Sequence, residues 1–332
     1  ALMRLFAANR DALDGLETGW ARLSQPFLAM LRVWNRNTRS GSSRNIRAHY
    51  DLGNDFFRTF LDETLTYSCG IFSDDRTSMR DASIEKYDRI CKKLELTSDD
   101  HVIEIGSGWG GFAIHAASIY GCRVTTTTIS VEQHRFASRL IAEAGLSDRV
   151  DVLLKDYRDL EGTYDKLVSI EMVEAVGHQF LEDYFQKCAD LLAPHGRAAI
   201  QAITVRDDWY DPKQRQIDFI KRYIFPGSFI PSVSALSSAA GKTDMRIVHF
   251  EDQTPHYAET LRRWRAAFME NWPEIRALGF DAQFRRLWDF YFCYCEGGFD
   301  EAILGCAQIV WAKPASKGVI DARLHERIEA VA

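Results

Sequence analysis

Long apolar runs, a secretion signal and metal-binding cysteine spacings are all missing from this sequence. No stretch of about 18 consecutive apolar residues occurs, so we expect no transmembrane helix. The first residues, ALMRLFAANRD, carry charge too early for a signal peptide. The seven cysteines show neither zinc-type spacing nor a C-x-x-C pair. We therefore expect a cytoplasmic protein with reduced thiols and no metal site.

The chain also lacks the excess of basic residues that is typical of nucleic-acid-binding proteins, because its net charge is −6. One local exception is RVWNRNTRSGSSRNIR (32–47), with five arginines and no acidic residue. Residues 1–38, which overlap the start of this segment, carry apolar side chains three or four apart, and this spacing predicts a helix. We expect residues 1–45 to form an N-terminal helical extension and linker. The extension could bind anionic lipid head groups at the inner face of a membrane or form a homodimer contact.

From residue 101 the chain alternates between β-branched runs and amphipathic helical runs. This alternation predicts an open α/β domain with a mostly parallel sheet of seven strands and helices on both faces. Residues 205–245 match no layer of the sheet and are predicted to be an inserted cap within a domain of residues 46–332. The predicted strands are 101–105, 122–129, 149–156, 164–171, 196–204, 245–250 and 302–313.

A glycine-rich turn follows the first predicted strand in HVIEIGSGWGGFA (101–113). Glycines let backbone N–H groups approach a ligand without a clash of Cβ atoms, and such a turn between strand and helix is typical of nucleotide sites. A nicotinamide site would need an acidic residue after the second strand, where this chain has TTTTIS (125–130). Glu104 just before the glycines instead gives the E-x-G-x-G pattern of S-adenosylmethionine-dependent methyltransferases.

Several further motifs surround that turn in a characteristic order. Together the set, over about residues 46–312, resembles the cyclopropane-fatty-acyl-phospholipid synthase family, which includes the mycolic acid cyclopropane synthases. The resemblance implies a class I methyltransferase fold of Rossmann-like topology, with N-terminal helices and an acyl-binding cap. The motifs are HYDLGNDFF (49–57), TYSCGIF (66–72), TISVEQ (128–133), LLKDYRDL (153–160), EMVEAVGHQFLEDYF (171–185), FIKRYIFPGSFIPS (219–232), HYAETLRRW (256–264) and YCEGGF (294–299).

The resemblance implies transfer of a carbon from S-adenosylmethionine to the cis double bond of an unsaturated phospholipid acyl chain. A carbocation forms, and bound bicarbonate removes a proton so that a cyclopropane ring closes. An alkene has no proton to lose beforehand, so the reaction needs proximity and a dry apolar cavity. Ring faces can stabilise a cation, and the predicted cap holds Phe219, Tyr223, Phe225 and Phe229.

The resemblance also implies which residues surround the cofactor. Those residues lie in the motif around residue 67 and in segments that follow the first three predicted strands. Tyr67 and Ser68 are expected at the methionine end, with Gly106, Gly108 and Gly110 beneath the methionine and ribose; Thr128, Ile129 and Gln133 are expected at the ribose and adenine, and Tyr157 and Arg158 beside the adenine.

A bicarbonate cage is the second implied site. The matching positions are Cys69, Glu174, Tyr257 and the backbone of Ile203, with Glu174 expected to accept the bicarbonate proton. The family histidine of the fifth strand is replaced by Gln201, which can hydrogen-bond an anion but cannot move a proton. The anion or the deprotonation step could therefore differ here.

Other functions remain open from the sequence. The same donor and acyl substrate could give a methylene or methyl-branched product, because the position of the base decides the outcome. A small-molecule methyltransferase and a non-catalytic lipid-binding subunit are further alternatives. Cys295 and Glu296 in YCEGGF either wall the active site or mark the end of a helix stopped by Gly297 and Gly298.

Overall fold

The computed structural model describes residues 37–38, 41, 52–210 and 219–316. The predicted N-terminal extension and linker lie outside the described residues except for residues 37–38 and 41. Their predicted helix and their lipid or dimer contact therefore stay predictions.

A seven-stranded sheet forms the centre of the described residues, with the order β3-β2-β1-β4-β5-β7-β6. Among the described strands, β7 alone runs antiparallel to its neighbours, so the predicted mostly parallel sheet is confirmed. The strands are β1 (His101–Ile105), β2 (Arg123–Thr128), β3 (Val150–Leu154), β4 (Tyr164–Ile170), β5 (Leu192–Val205), β6 (Arg246–Asp252) and β7 (Leu304–Ala312).

Helices cover both faces of this sheet. None of the described helices is both long enough and apolar enough to cross a bilayer. A π-helical turn, Ala116–Tyr120, extends α3. The α-helices are α1 (Asn54–Arg58), α2 (Met79–Leu94), α3 (Gly111–His115), α4 (Val131–Glu143), α5 (Leu181–Leu191), α6 (Phe219–Tyr223), α7 (Val233–Ala240), α8 (Thr254–Glu270), α9 (Trp272–Ala277) and α10 (Ala282–Asp300).

The strand order places the loops of interest at one edge of the sheet. The chain builds β1, β2 and β3 outwards in one direction and then returns to pair β4 on the other side of β1. The first five strands are parallel, so the segments that follow them lie at the same carboxyl edge. Ligands of open α/β sheets bind at such a reversal point.

Three apolar clusters fill the described part of the structure. Two of them flank the sheet, one under α5 and α7 and the other under α2, α3 and α4. The third, which we call the aromatic cluster, joins α1, α8 and α10 and includes Trp109 of the glycine turn and Cys306 of β7. The aromatic cluster therefore lies next to the carboxyl edge of the sheet.

Two details differ from the sequence-based expectations. Helix α10 continues through Gly297 and Gly298 to Asp300, so the predicted helix stop is wrong. A Cβ atom on Gly298 would lie 2.9 Å from Leu304 Cδ1, so this glycine permits close packing against β7 instead. Phe229 lies in the cluster under α5 and α7, whereas Phe219 and Phe225 contact the aromatic cluster.

We expect Trp288→Ala to lower the free energy of unfolding by about 3–5 kcal/mol, because a large buried ring would leave a cavity. Trp288 is 2% exposed and packs on Phe56 at a centroid distance of 4.7 Å. Leu278→Ala is the control, since Leu278 is 46% exposed. Urea unfolding measures both variants, and equal losses would contradict the assignment of the aromatic cluster as the core of this region.

Candidate active site

The glycine turn after β1 folds back onto the end of β2. The backbone N–H groups of Gly106 and Ser107 donate to the Thr127 carbonyl at 3.0 and 2.9 Å. Gly108 has φ +49°, and a Cβ atom there would meet no heavy atom within 4 Å. Gly110, with φ +94°, packs against Ala137 of α4. The turn thus presents bare backbone to open space at Gly108, which suits the close approach of a ligand.

Glu104, just before the turn, is buried inside the sheet. The Thr126 hydroxyl donates to its Oε2 atom at 2.5 Å, between directly paired residues of β1 and β2. Burial raises the pKa of Glu104 to about 8. Its carboxyl group is therefore mostly protonated at pH 7 and ties the two strands together beneath the turn.

The segment after β2 is held by side-chain hydrogen bonds. Thr128 Oγ1 donates to Gln133 Oε1 at 2.9 Å, and both side chains are buried. The Ser130 hydroxyl caps α4 by accepting from the Gln133 backbone N–H at 3.3 Å. Ile129 lies between them and is half-buried. These hydrogen bonds fix the conformation of the segment, which lies beside the glycine turn.

Tyr157 and Arg158 follow β3 in a short 3₁₀ turn. The Arg158 guanidinium forms a bidentate ion pair with Asp156, with an Nε–Oδ1 distance of 2.9 Å and an Nη2–Oδ2 distance of 2.7 Å. The Tyr157 ring packs edge-on against Tyr184 at 5.5 Å. The structure therefore brings together at one edge the eight predicted cofactor residues that lie in these three segments.

Tyr67 and Ser68 belong to the segment between α1 and α2. The Tyr67 hydroxyl lies 3.0 Å from the Tyr291 hydroxyl, inside the aromatic cluster. Ser68 Oγ accepts from the Lys86 ammonium at 2.5 Å. Lys86 is fully buried, and burial lowers its pKa to about 8, with acidic neighbours led by Glu171 opposing the shift. A cation therefore lies beside the predicted methionine end.

Glu171 is the residue on which the predicted bicarbonate cage converges. Its Oε1 atom accepts from the Cys69 backbone N–H at 2.9 Å and from Gln201 Nε2 at 2.8 Å. Its Oε2 atom accepts from the Tyr257 hydroxyl at 2.5 Å. Three predicted cage residues thus meet on a carboxylate that the sequence analysis did not select.

Glu174 lies in the short turn that follows β4, and Ile203 lies on β5. The Ile203 backbone N–H donates to Glu174 Oε1 at 2.5 Å. Glu174 Oε2 is buried and has no hydrogen-bond partner among the described residues. The Cys69 thiol instead donates to the carbonyls of Gly70 and Gln253, at 3.3 and 3.9 Å. Among the hydrogen bonds of the described residues, Cys69 therefore binds the Glu171 carboxylate through its backbone N–H and not through its thiol.

The two glutamates have different electrostatic surroundings. Burial and then the neighbouring charge of Glu171 raise the pKa of Glu174 to about 8. Burial also raises the pKa of Glu171, but hydrogen bonds from Tyr257 and Cys69 and the charge of Lys86 oppose that shift. Among the described residues, three hydrogen-bond donors meet at Glu171 and one at Glu174, so we assign the negative charge to Glu171 and a protonated carboxyl group to Glu174 at neutral pH.

A series of side-chain hydrogen bonds fixes the orientation of the Gln201 amide. Lys93 is only a donor, so it requires the oxygen of Gln308 as its acceptor. The Gln308 nitrogen then donates to Gln201 Oε1 at 3.0 Å. This leaves the Gln201 nitrogen facing Glu171 as a donor.

The residues of the predicted bicarbonate cage do not fit a bound bicarbonate ion. The Cys69 N–H, the Gln201 amide and the Tyr257 hydroxyl each donate to Glu171. A second anion would lie beside the Glu171 charge in a buried site, where an uncompensated charge is costly. The expectation of bicarbonate as a cofactor therefore finds no support in the geometry.

Two comparisons with known sequences decide the family. The model of the family described as mycolic acid cyclopropane synthetase matches residues 37–309. The tuberculostearic acid methyltransferase UfaA1 of Mycobacterium tuberculosis is 40% identical over 316 residues, 92% of this chain and 73% of the relative. The chain belongs to this family. A cyclopropane-fatty-acyl-phospholipid synthase of Escherichia coli K12 is 33% identical over 303 residues, 89% of this chain and 75% of the relative.

Solved structures of cyclopropane synthases share the fold. Mycolic acid cyclopropane synthase CmaA1, in complex with SAH and CTAB, superimposes with a TM-score of 0.77 at 30% identity, covering 82% of this chain and 98% of that chain. Cyclopropane synthase MmaA2 of Mycobacterium tuberculosis gives 0.76 at 28% identity, with the same coverage. This member of the cyclopropane synthase family is an S-adenosylmethionine-dependent methyltransferase, and its class I fold is confirmed.

Signals for the two residues that sequence reasoning missed are present in the sequence. Glu171 and Glu174 both follow β4 in IEMVEAVG, and only the second was selected. Lys86 occupies the buried face of α2 together with Ala82, Ser83 and Ile90. A lysine on the buried face of an amphipathic helix is itself a functional signal.

We expect Gly108→Ala to weaken S-adenosylmethionine binding by about 10-fold or more, because its methyl group would enter the open space over the turn. Gly145→Ala is a matched control: Gly145 also has positive φ (+70°) and open surroundings, but lies after α4. Calorimetric titration measures binding. Equal effects of both substitutions would show that backbone strain, not the ligand, explains the loss.

Proposed function

We propose that this protein transfers a carbon from S-adenosylmethionine to the cis double bond of an unsaturated fatty acyl chain of a phospholipid. The observation that carries the proposal is the position of Tyr257, whose hydroxyl binds the buried Glu171 while its ring belongs to the aromatic cluster. An apolar wall and a buried acid–base group thus meet in one place. Methylation of an alkene requires that combination.

The aromatic cluster would protect a short-lived carbocation from water. The Tyr257 ring stacks on Phe299 at 4.3 Å, and the Tyr67 ring packs on Trp264 at 5.1 Å. Ring faces of this kind stabilise a nearby positive charge. S-adenosylmethionine supplies a methyl group on a positively charged sulfur, which the double bond can attack with its π electrons.

A surface formed by α6 and α10 supports access to membrane lipids. Tyr223 is 53% exposed and Phe290 is 40% exposed, and both pack on Phe219. Lys221 and Arg222 lie on the same short helix. Aromatic and basic side chains together favour peripheral binding to anionic lipid head groups. Phe219 contacts the aromatic cluster, so this surface adjoins the proposed site.

The product is proposed to be a cyclopropane, with a methylene or methyl-branched acyl group as the second candidate. In the first case the transferred carbon loses a proton while the ring closes. In the second, a hydride shift along the acyl group comes before the proton loss. The second candidate is kept because the relative that is 40% identical is named a methyltransferase.

We expect the purified protein to modify vesicles of cis-unsaturated phospholipid when the donor carries a trideuterated methyl group. Because ring closure and formation of a methylene group both remove a proton from the transferred carbon, mass spectrometry should show that this carbon keeps two of its three deuterium atoms. Proton NMR of the product made with unlabelled donor then distinguishes the CH₂ group of a cyclopropane ring from a methylene group doubly bonded to the acyl backbone. Vesicles of saturated phospholipid are the control.

Absence of any labelled lipid from unsaturated vesicles, with donor binding intact, would contradict the proposed function and favour a small-molecule methyltransferase. Retention of all three deuterium atoms would instead show that the proton leaves from the acyl group itself.

A further inference from the structure

We propose that the Glu171 carboxylate is the general base of the reaction and takes the place in which the family resemblance puts bicarbonate. This inference rests on the proposed function and adds the identity of the proton acceptor. It replaces a diffusible ion by a side chain that is part of the protein.

The donor set around Glu171 is the first support. A cage for a planar anion needs donors from several directions, and the Cys69 N–H, the Gln201 amide and the Tyr257 hydroxyl come from three separate segments. All three donate to the one carboxylate. Among the described residues, Oε1 accepts two hydrogen bonds and Oε2 accepts one. A carboxylate can accept about four, so Oε2 keeps the capacity to bind a proton.

The charge balance is the second support. Burial raises the pKa of Glu171, and the positive charge of Lys86 opposes that rise. Glu174, with a pKa of about 8, is mostly neutral at pH 7. Among the described residues, Lys86 is the cation whose charge offsets that of Glu171, so an added bicarbonate would bring a second negative charge to a site that this cation already balances.

The backbone of Glu171 is the third support. Its φ of +49° is in the left-handed region, where a residue other than glycine is strained. A hydrogen bond from the Glu171 N–H to the Gln201 carbonyl, at 2.8 Å, holds this conformation. Strained residues of this kind concentrate at functional sites.

The proton balance of the step is complete without an added ion. The π electrons of the alkene form the new C–C bond as the bond between sulfur and methyl carbon breaks, which leaves a cation on the second alkene carbon. Glu171 takes a proton from the transferred carbon, and the released electron pair closes the ring. After a hydride shift, the same pair would form the double bond of a methylene product. Glu171 becomes a neutral acid and returns its proton to water as the products leave.

The test compares the wild-type protein with Glu171→Gly in buffer freed of carbon dioxide, with and without added bicarbonate. Glycine accepts the positive φ, so the backbone should keep its conformation, and it frees the three donors for an external anion. We expect wild-type turnover to be independent of bicarbonate. Glu171→Gly should turn over about 100-fold more slowly and regain at least about 10-fold when bicarbonate is added.

Two further variants control this experiment. Glu171→Gln keeps the side-chain volume, so we expect slow turnover that bicarbonate does not restore. Glu182→Gln removes an exposed carboxylate on α5 and should behave like the wild type. Calorimetric titration with S-adenosylmethionine checks that each variant still binds the donor.

Binding of ¹³C-labelled bicarbonate, followed by NMR without lipid, gives a readout besides activity. We expect binding to Glu171→Gly but not to the wild type. Wild-type turnover that requires bicarbonate, wild-type binding of the ion, or full activity of Glu171→Gly without it would each overturn the assignment of Glu171. Failure of the wild type to modify lipid in either buffer would instead overturn the proposed function, and the base with it.

Lys86→Met gives a separate expectation for the pH dependence. Glu171 must be ionised to act; burial raises its pKa, and the Lys86 ammonium opposes that rise. Removal of that cation should raise the pKa of Glu171. As the pH is lowered, turnover of Lys86→Met should therefore be lost at a higher pH than turnover of the wild type. An unchanged acid limb in the pH–rate profile, with donor binding intact, would show that Lys86 does not support the charge on Glu171.

Discussion

The burial of one ionised carboxylate at the carboxyl edge of the sheet is the constraint on which the site depends. An isolated buried charge is costly unless hydrogen bonds and an opposite charge compensate it. Glu171 obtains both, from Cys69, Gln201, Tyr257 and Lys86. These partners come from four different segments, so the charge holds together a region that the apolar clusters alone would not specify.

The same constraint explains the exchange at position 201. A glutamine there donates to Glu171 and accepts from Gln308, and Lys93 sets the direction of both amides. No proton has to move through the amides, because the carboxylate already sits where the proton is proposed to arrive. The glutamine that replaces the family histidine and the acidic residue at position 171 therefore belong to the same hydrogen-bond network.

Much of the fold could be predicted from the sequence because local patterns determine it. The run HVIEI is bounded by a polar segment and by glycines, and β1 spans the predicted residues. The π-helical turn after α3 and the passage of α10 through two glycines were not predicted; for α10 the reason is the close packing of Gly298 against the distant Leu304. The site was predicted in part: the donors carried a family motif, but their common acceptor appears only when β4, β5 and α8 are brought together. In the sequence, Glu171 and Glu174 are equally plausible acid–base residues, and their roles are distinguished by their hydrogen bonds in the structure.

A crystal structure of the protein with S-adenosylhomocysteine would show which group the three donors bind. We expect electron density for the Glu171 carboxylate within hydrogen-bond distance of the Cys69 N–H, the Gln201 amide and the Tyr257 hydroxyl, with no separate anion between them. A Glu171 side chain turned away, with a planar three-oxygen ion bound by those same donors, would contradict it.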